Sequence, residues 1–84
     1  EYRYLASNKE KILMPEISLY PNPSKDMMYI QGEYDDFSLF DMNGVCYYKK
    51  IKSDHLDISM LPAGIYLIKI ASGNVHVIKK LIKY

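Results

Sequence analysis

From Ile17 onward this chain is interrupted at short intervals by residues that end strands: Pro21-Asn22-Pro23, Gly32, Asn43-Gly44, Pro62-Ala63-Gly64 and Ser72-Gly73-Asn74. The runs between them are short and rich in isoleucine, valine, tyrosine and leucine. No window carries a 3.6-residue apolar period, so the runs read as strands and not helices. They predict strands over residues 17–20, 27–30, 37–41, 45–51, 56–59, 65–71 and 75–83. Strand signals about 8–12 residues apart, bounded by Gly, Pro or Asn, point to an antiparallel sandwich or barrel.

Side-chain alternation assigns faces. In the sixth run Tyr66, Ile68 and Ile70 share one face and Ile65, Leu67 and Lys69 the other, and the first set is the better core face. The last run does not alternate cleanly. Val75 and Val77 agree, whereas Ile78 and Ile82 fall on the opposite parity. A β-bulge at residues 78–80 is the expected reconciliation. Asn43-Gly44 is the clearest hairpin turn, because both residues tolerate positive φ. Pro21 and Pro23 lack an N–H, which confines their segment to a sheet edge or strand end.

The chain has 84 residues, 49% of them hydrophobic, which is enough for one small core and argues against disorder. The nine tyrosines and two phenylalanines suit pleated surfaces. A formal net charge of +1 gives no electrostatic case for nucleic acid. No apolar run approaches the ~20 residues of a membrane span. No signal peptide opens the chain, and its start at Glu1 reads as a piece of something longer. Residues 1–16 differ in character, with charges interleaved among Ala6, Ser7 and Asn8, and read as a linker from an upstream domain with a short edge strand over 11–14. The chain closes on a strand, which places its terminus inside the fold.

Catalysis finds little support. A nucleophile needs a base beside it, and the histidines are only His55 and His76. Cys46, flanked by Val45 and Tyr47, reads as a small buried thiol, and a single cysteine excludes an internal disulfide. His55, His76, Asp57 and Cys46 lack metal-ligand spacing, and Asp35-Asp36 and Asp54 through Asp57 read as turn carboxylates. We expect no enzyme activity, no metal and no cofactor. Lys49-Lys50-Ile51-Lys52 reads as a solvated face that protects an exposed edge.

Four blocks stand in order along the chain: Tyr20-Pro21-Asn22-Pro23-Ser24, then Phe40-Asp41-Met42-Asn43-Gly44, then Leu61-Pro62-Ala63-Gly64-Ile65-Tyr66, then Lys79-Lys80-Leu81-Ile82-Lys83. Together they resemble the type A C-terminal sorting domains of the type IX secretion system. Val45 stands where many members carry a basic residue, and Tyr84 extends past the usual final lysine. The resemblance implies a seven-stranded immunoglobulin-like sandwich over residues 17–84. It implies that the domain directs a cargo from the periplasm of a Gram-negative bacterium through an outer-membrane translocon. It further implies a cell-surface sortase that removes the domain and joins the cargo to lipopolysaccharide; the small, polar stretch Ala6-Ser7-Asn8 places the expected cut between residues 1 and 16. Gly64, Tyr66, Lys79, Lys80, Leu81, Ile82 and Lys83 are the implied recognition residues. Tyr20, Pro21, Asn22, Pro23, Asp41, Asn43, Gly44, Leu61 and Pro62 are the implied fold motifs. Within that scheme Gly64 serves a turn or close approach, and Tyr66 anchors the core with a hydroxyl that needs a partner. The segment 10–20 also offers an edge for pairing with a second copy. The alternative from composition and fold class alone is an extracellular immunoglobulin-like adhesion or carbohydrate-binding module.

Overall fold

The computed structural model describes residues 16–84. The expected linker over 1–16 (apart from Glu16), its edge strand at 11–14 and the cleavage segment Ala6-Ser7-Asn8 lie outside the described residues. Seven strands follow in chain order: β1 (Ser18–Tyr20), β2 (Met27–Gln31), β3 (Asp36–Asp41), β4 (Cys46–Ile51), β5 (His55–Asp57), β6 (Gly64–Ser72) and β7 (Val75–Lys83). They match the seven expected runs to within two residues at each end. Among the described residues there is no helix.

The strands form two antiparallel sheets, one ordered β1-β2-β5 and the other β4-β3-β6-β7. Both sheets turn apolar side chains to a shared core. Met28 and Ile30 come from the first sheet; Phe37, Leu39, Tyr66, Ile68, Ile70 and Leu81 come from the second. Ile58 and Leu61, in the crossing between β5 and β6, join the same cluster. The period-2 alternation of β6 therefore places Tyr66, Ile68 and Ile70 inward as expected.

The long β6–β7 hairpin pairs without a break from Gly64 opposite Lys83 to Ser72 opposite Val75. The bulge expected at residues 78–80 is thus absent. Parity is kept throughout, so Ile78 and Ile82 point outward with Lys80, and Ile78 is 61% exposed. The inward face of β7 carries Val77, Lys79, Leu81 and Lys83. An unbroken hydrogen-bond ladder outweighs the exposure of two isoleucines, because shifting register would flip every side chain on the strand.

The irregularities fall on β4 instead, where the register shifts twice between Phe37↔Ile51 and Phe40↔Cys46. Lys50 adopts φ of 54° there, and the Ser38 Oγ accepts its N–H at 3.0 Å. This two-for-one bulge sits on an edge strand, where such distortions discourage pairing with another chain. Cys46 is exposed, contrary to the buried thiol expected from its apolar neighbours. Its partner across the ladder is Phe40, and both belong to the outward parity of the sheet, opposite to Leu39.

The turn after β3 is held by Asp41. Its carbonyl accepts the Gly44 N–H at 3.1 Å, and its Oδ1 accepts the N–H groups of Asn43 and Val45 at 2.8 and 2.9 Å. Only Gly44, at φ 87°, occupies the left-handed region; Asn43 does not. Gly32 is constrained by space as well as by its φ of 139°. A β-carbon there would lie 2.6 Å from the Glu16 carbonyl oxygen.

Candidate functional site

Two of the four sequence blocks, distant along the chain, meet on the outer edge of β7. After β1 ends at Tyr20 the chain turns away from its sheet, with the Tyr20-Pro21 and Asn22-Pro23 peptide bonds both cis. Asn22 lies beside the final residues of β7. Asn22 Nδ2 donates to the Lys80 carbonyl at 2.7 Å, and its Oδ1 accepts the Ile82 N–H at 3.0 Å. One amide side chain so engages a donor and an acceptor of the strand, as a neighbouring peptide group would.

Ser24 continues the contact with its backbone. Its N–H donates to the Ile82 carbonyl at 2.8 Å, and its carbonyl accepts the Tyr84 N–H at 3.0 Å, forming a parallel bridge opposite Lys83. Ser24 is fully buried, and its hydroxyl donates to the Met27 carbonyl at 2.9 Å. A larger side chain would have no room there. The prolines end β1, and the asparagine and serine between and after them cover the edge of β7 from Lys80 to Tyr84. Further along, the outward-directed edge groups of His76 and Ile78 pair with no described residue.

The terminal block is divided by parity. Lys80 and Ile82 face out, opposite Leu67 and Ile65 of β6. Leu81 is in the core, Lys79 is half-buried and Lys83 is 8% exposed. The Lys83 ammonium donates to the Tyr84 carbonyl at 3.0 Å, so its aliphatic stem packs inward while its head reaches the chain end. The three lysines among the implied recognition residues are therefore not on one face.

The block preceding β6 is organised by Tyr66. Its ring lies in the core, and its hydroxyl donates to the Pro62 carbonyl at 2.5 Å. The Tyr47 ring packs edge-on against it at 6.0 Å, and the Tyr47 hydroxyl reaches Asp41 Oδ2 at 3.3 Å. Burial, followed by the nearby Tyr47 and the Asp41 carboxylate, raises the Tyr66 pKa above its ordinary value of 10.0. Leu61 is a core residue. A β-carbon at Gly64 would meet nothing within 4 Å, so the demand for glycine there comes from its φ of 158° and not from a close approach.

The residues weighed for chemistry are dispersed. His55 and Asp57 lie on β5 of one sheet, whereas Cys46 and His76 lie on β4 and β7 of the other. Among the described residues no group of three or more His, Cys, Asp or Glu is placed to hold a metal ion. His55 Nδ1 is paired with Asp54 Oδ1 at 2.8 Å, and this hydrogen bond is the main cause of the lowered Asp54 pKa. An open trough of about 540 Å³ on the outer face of the four-stranded sheet is lined by Asp36, Ser38, Phe40, Cys46, Lys49 and Lys50, among others. No described helix is long and apolar enough to cross a membrane.

The Asn22 and Ser24 contacts carry no local sequence signal. They join residues 58 and 60 positions apart, and nothing periodic marks a serine for complete burial. The hint is the presence of the proline block and the lysine block in one chain, which gives an order but not a contact. Comparison with protein families supplies the rest. The family model of the secretion system C-terminal sorting domain matches residues 18–84. No curated protein matches the chain at a significant level. That match spans every described strand and includes both blocks that meet on β7; the chain belongs to the C-terminal sorting domains of type IX secretion, the signal borne by secreted or cell-surface cargo proteins.

Proposed function

We propose that this is a type A sorting domain of immunoglobulin-like architecture, read by an outer-membrane translocon through β7 and the segment clamped to it. The observation that carries the reading is the contact of Asn22 and Ser24 with Ile82. It unites the two ends of the family's sequence pattern in one surface. Lys80 and Ile82 present side chains outward beside Asn22, while Leu81 and Lys83 hold the strand to the core. The edge groups of His76 and Ile78 offer main-chain donors and acceptors to a partner strand. Tyr66 and Gly64 act indirectly, by fixing the start of β6 against which β7 is registered. The Tyr66 hydroxyl bond to the carbonyl four residues upstream supports the immunoglobulin-like assignment, since a tyrosine corner of this kind recurs in such sandwiches.

In this reading the domain enters the periplasm of a Gram-negative bacterium with its cargo and is a substrate of the secretion machinery, not a catalyst. A cell-surface sortase cuts within residues 1–16, near Ala6, Ser7 and Asn8, and transfers the cargo to lipopolysaccharide. Pairing with a second copy through segment 10–20 is the assembly it allows. Fusion of residues 1–84 to a periplasmic reporter in a type IX-competent host is expected to deliver the reporter to the surface. Retention in the periplasm, while an established sorting domain delivers the same reporter, overturns the proposal. N-terminal sequencing of released domain is expected to start before Ile17; a start inside β1 overturns the cleavage assignment.

A further inference from the structure

The outer face of the three-stranded sheet carries a row of aromatic rings that neither the core nor the β7 clamp uses. Strand register places Tyr20 opposite Tyr29 and Tyr29 opposite His55, so each strand contributes one ring. The Tyr20 and Tyr29 rings are offset-stacked, with centroids 5.6 Å apart and planes 16° from parallel. The His55 ring follows at 6.1 Å from Tyr29. Alternation sends Met28 and Ile30 of β2 to the core, which leaves Tyr20 48% and Tyr29 40% exposed. A single exposed tyrosine is ordinary. Three rings in register across the full width of a sheet form a continuous surface.

Polar groups border this row. Ser18 and Gln31 are paired on one side of it, and Asp57 is paired with Met27 on the other. Asp54 stands at the His55 end, hydrogen-bonded to the imidazole. Asp57 Oδ1 is held by the Ser59 hydroxyl and N–H at 2.6 and 2.9 Å. These bonds fix both carboxylates in place and leave a second oxygen of each for a ligand.

We propose that the row of Tyr20, Tyr29 and His55 binds a neutral oligosaccharide of pyranose units. A pyranose has C–H faces that lie against the electron-rich face of an aromatic ring, and hydroxyls at its rim that suit Gln31, Ser18 and the aspartates. The rings form an open line and not a cage, so a linear ligand contacts all three, whereas a small cation would meet one. Asp54 and Asp57 oppose a polyanion such as nucleic acid or a sulfated chain. The site lies on the sheet that does not contain β7, and the clamp uses Asn22 and Ser24 but not the Tyr20 ring. Oligosaccharide binding is therefore separable from sorting.

The test is an amide NMR titration of the 84-residue chain with cellohexaose and with maltohexaose. At least one is expected to shift resonances of β1, β2 and β5 around the row. Tyr29→Ala is expected to weaken binding about tenfold, the loss of one stacked ring. Tyr29→Phe, which keeps the ring, and Tyr84→Ala, which removes an exposed tyrosine elsewhere, are expected to bind as the parent does. His55→Ala provides a second lesion at the other end of the row, and thermal melts establish that each variant is folded. Absence of shifts with both sugars, shifts confined to the other sheet, or undiminished binding by folded Tyr29→Ala or His55→Ala overturns the proposal. Row shifts produced by choline chloride or heparin in place of the sugars overturn it equally.

Discussion

Asn22 lies beside Ile82 as a strand would, accepting its N–H at 3.0 Å and returning a donor to the preceding outward carbonyl, that of Lys80, at 2.7 Å. A side chain from the segment between β1 and β2 so closes part of the open edge of the four-stranded sheet. Exposed edges invite pairing with other chains. Here the cover ends near Lys80, and the edge groups of His76 and Ile78 have no partner among the described residues.

Asn22→Ala is expected to lower stability by about 1–2 kcal/mol, the net worth of two partly solvated hydrogen bonds. Asn22→Asp keeps an acceptor for the Ile82 N–H but sets a carboxylate oxygen against the Lys80 carbonyl, where two acceptors repel, and should cost at least as much. Urea unfolding of the three proteins measures this order, and faster amide exchange at Ile82 in Asn22→Ala would accompany it.

The unbroken register of β7 separates its two faces. Ile78→Ser should change stability by no more than about 0.5 kcal/mol, as for other exposed sites. Leu81→Ala should cost about 2–5 kcal/mol, because it empties a core position that no solvent reaches. A bulge between Ile78 and Lys80 would turn Ile78 inward and raise its cost to the core range. Chemical denaturation of the two variants distinguishes these arrangements.

Tyr66→Phe is expected to cost about 1 kcal/mol by leaving the Pro62 carbonyl without its donor. The raised pKa of Tyr66 adds a pH signature. Above the ordinary value of 10.0 the unfolded chain releases the phenolic proton before the folded one does. The stabilisation is thus complete below that pH and is lost as pH rises through the folded value. Tyr66→Phe should flatten the decline of stability above pH 10.0, leaving the part due to Tyr34, whose pKa burial and Asp54 also raise.

Cys46 is on the exposed edge strand, where its thiol hydrogen-bonds the Tyr48 carbonyl at 3.3 Å. Under native conditions it should react with a thiol reagent at a rate insensitive to low urea. A buried thiol would react only on the timescale of unfolding, and a rate that climbs steeply with urea would contradict the exposed placement.

Much of the architecture was legible in the residues. The turn at Asp41 through Gly44 could be read from Asn-Gly, since short-range φ preferences act wherever the pair occurs. The inward set Tyr66, Ile68 and Ile70 followed from alternation in a long strand bounded by clear turns. Cys46 and Ile78 were misplaced for related reasons. An apolar residue next to a strand was given to the core, although half the positions of any pleated strand face away from it. In β7 the competing parities of Val77 and Ile78 were settled by the ladder with β6, which no single-strand pattern contains.

The sequence alone determined that seven short strands form among the described residues, where their turns fall, and which family the ordered blocks resemble, because these depend on local backbone preference and on the presence of motifs. Only the tertiary structure decided that Asn22 covers the edge at Ile82, that Ser24 is buried, that Lys83 points inward, and that Tyr20, Tyr29 and His55 align. Each of these depends on the register between strands distant in the chain. Register is a property of the assembled ladder, fixed when all the core faces are satisfied together, and no one segment encodes it.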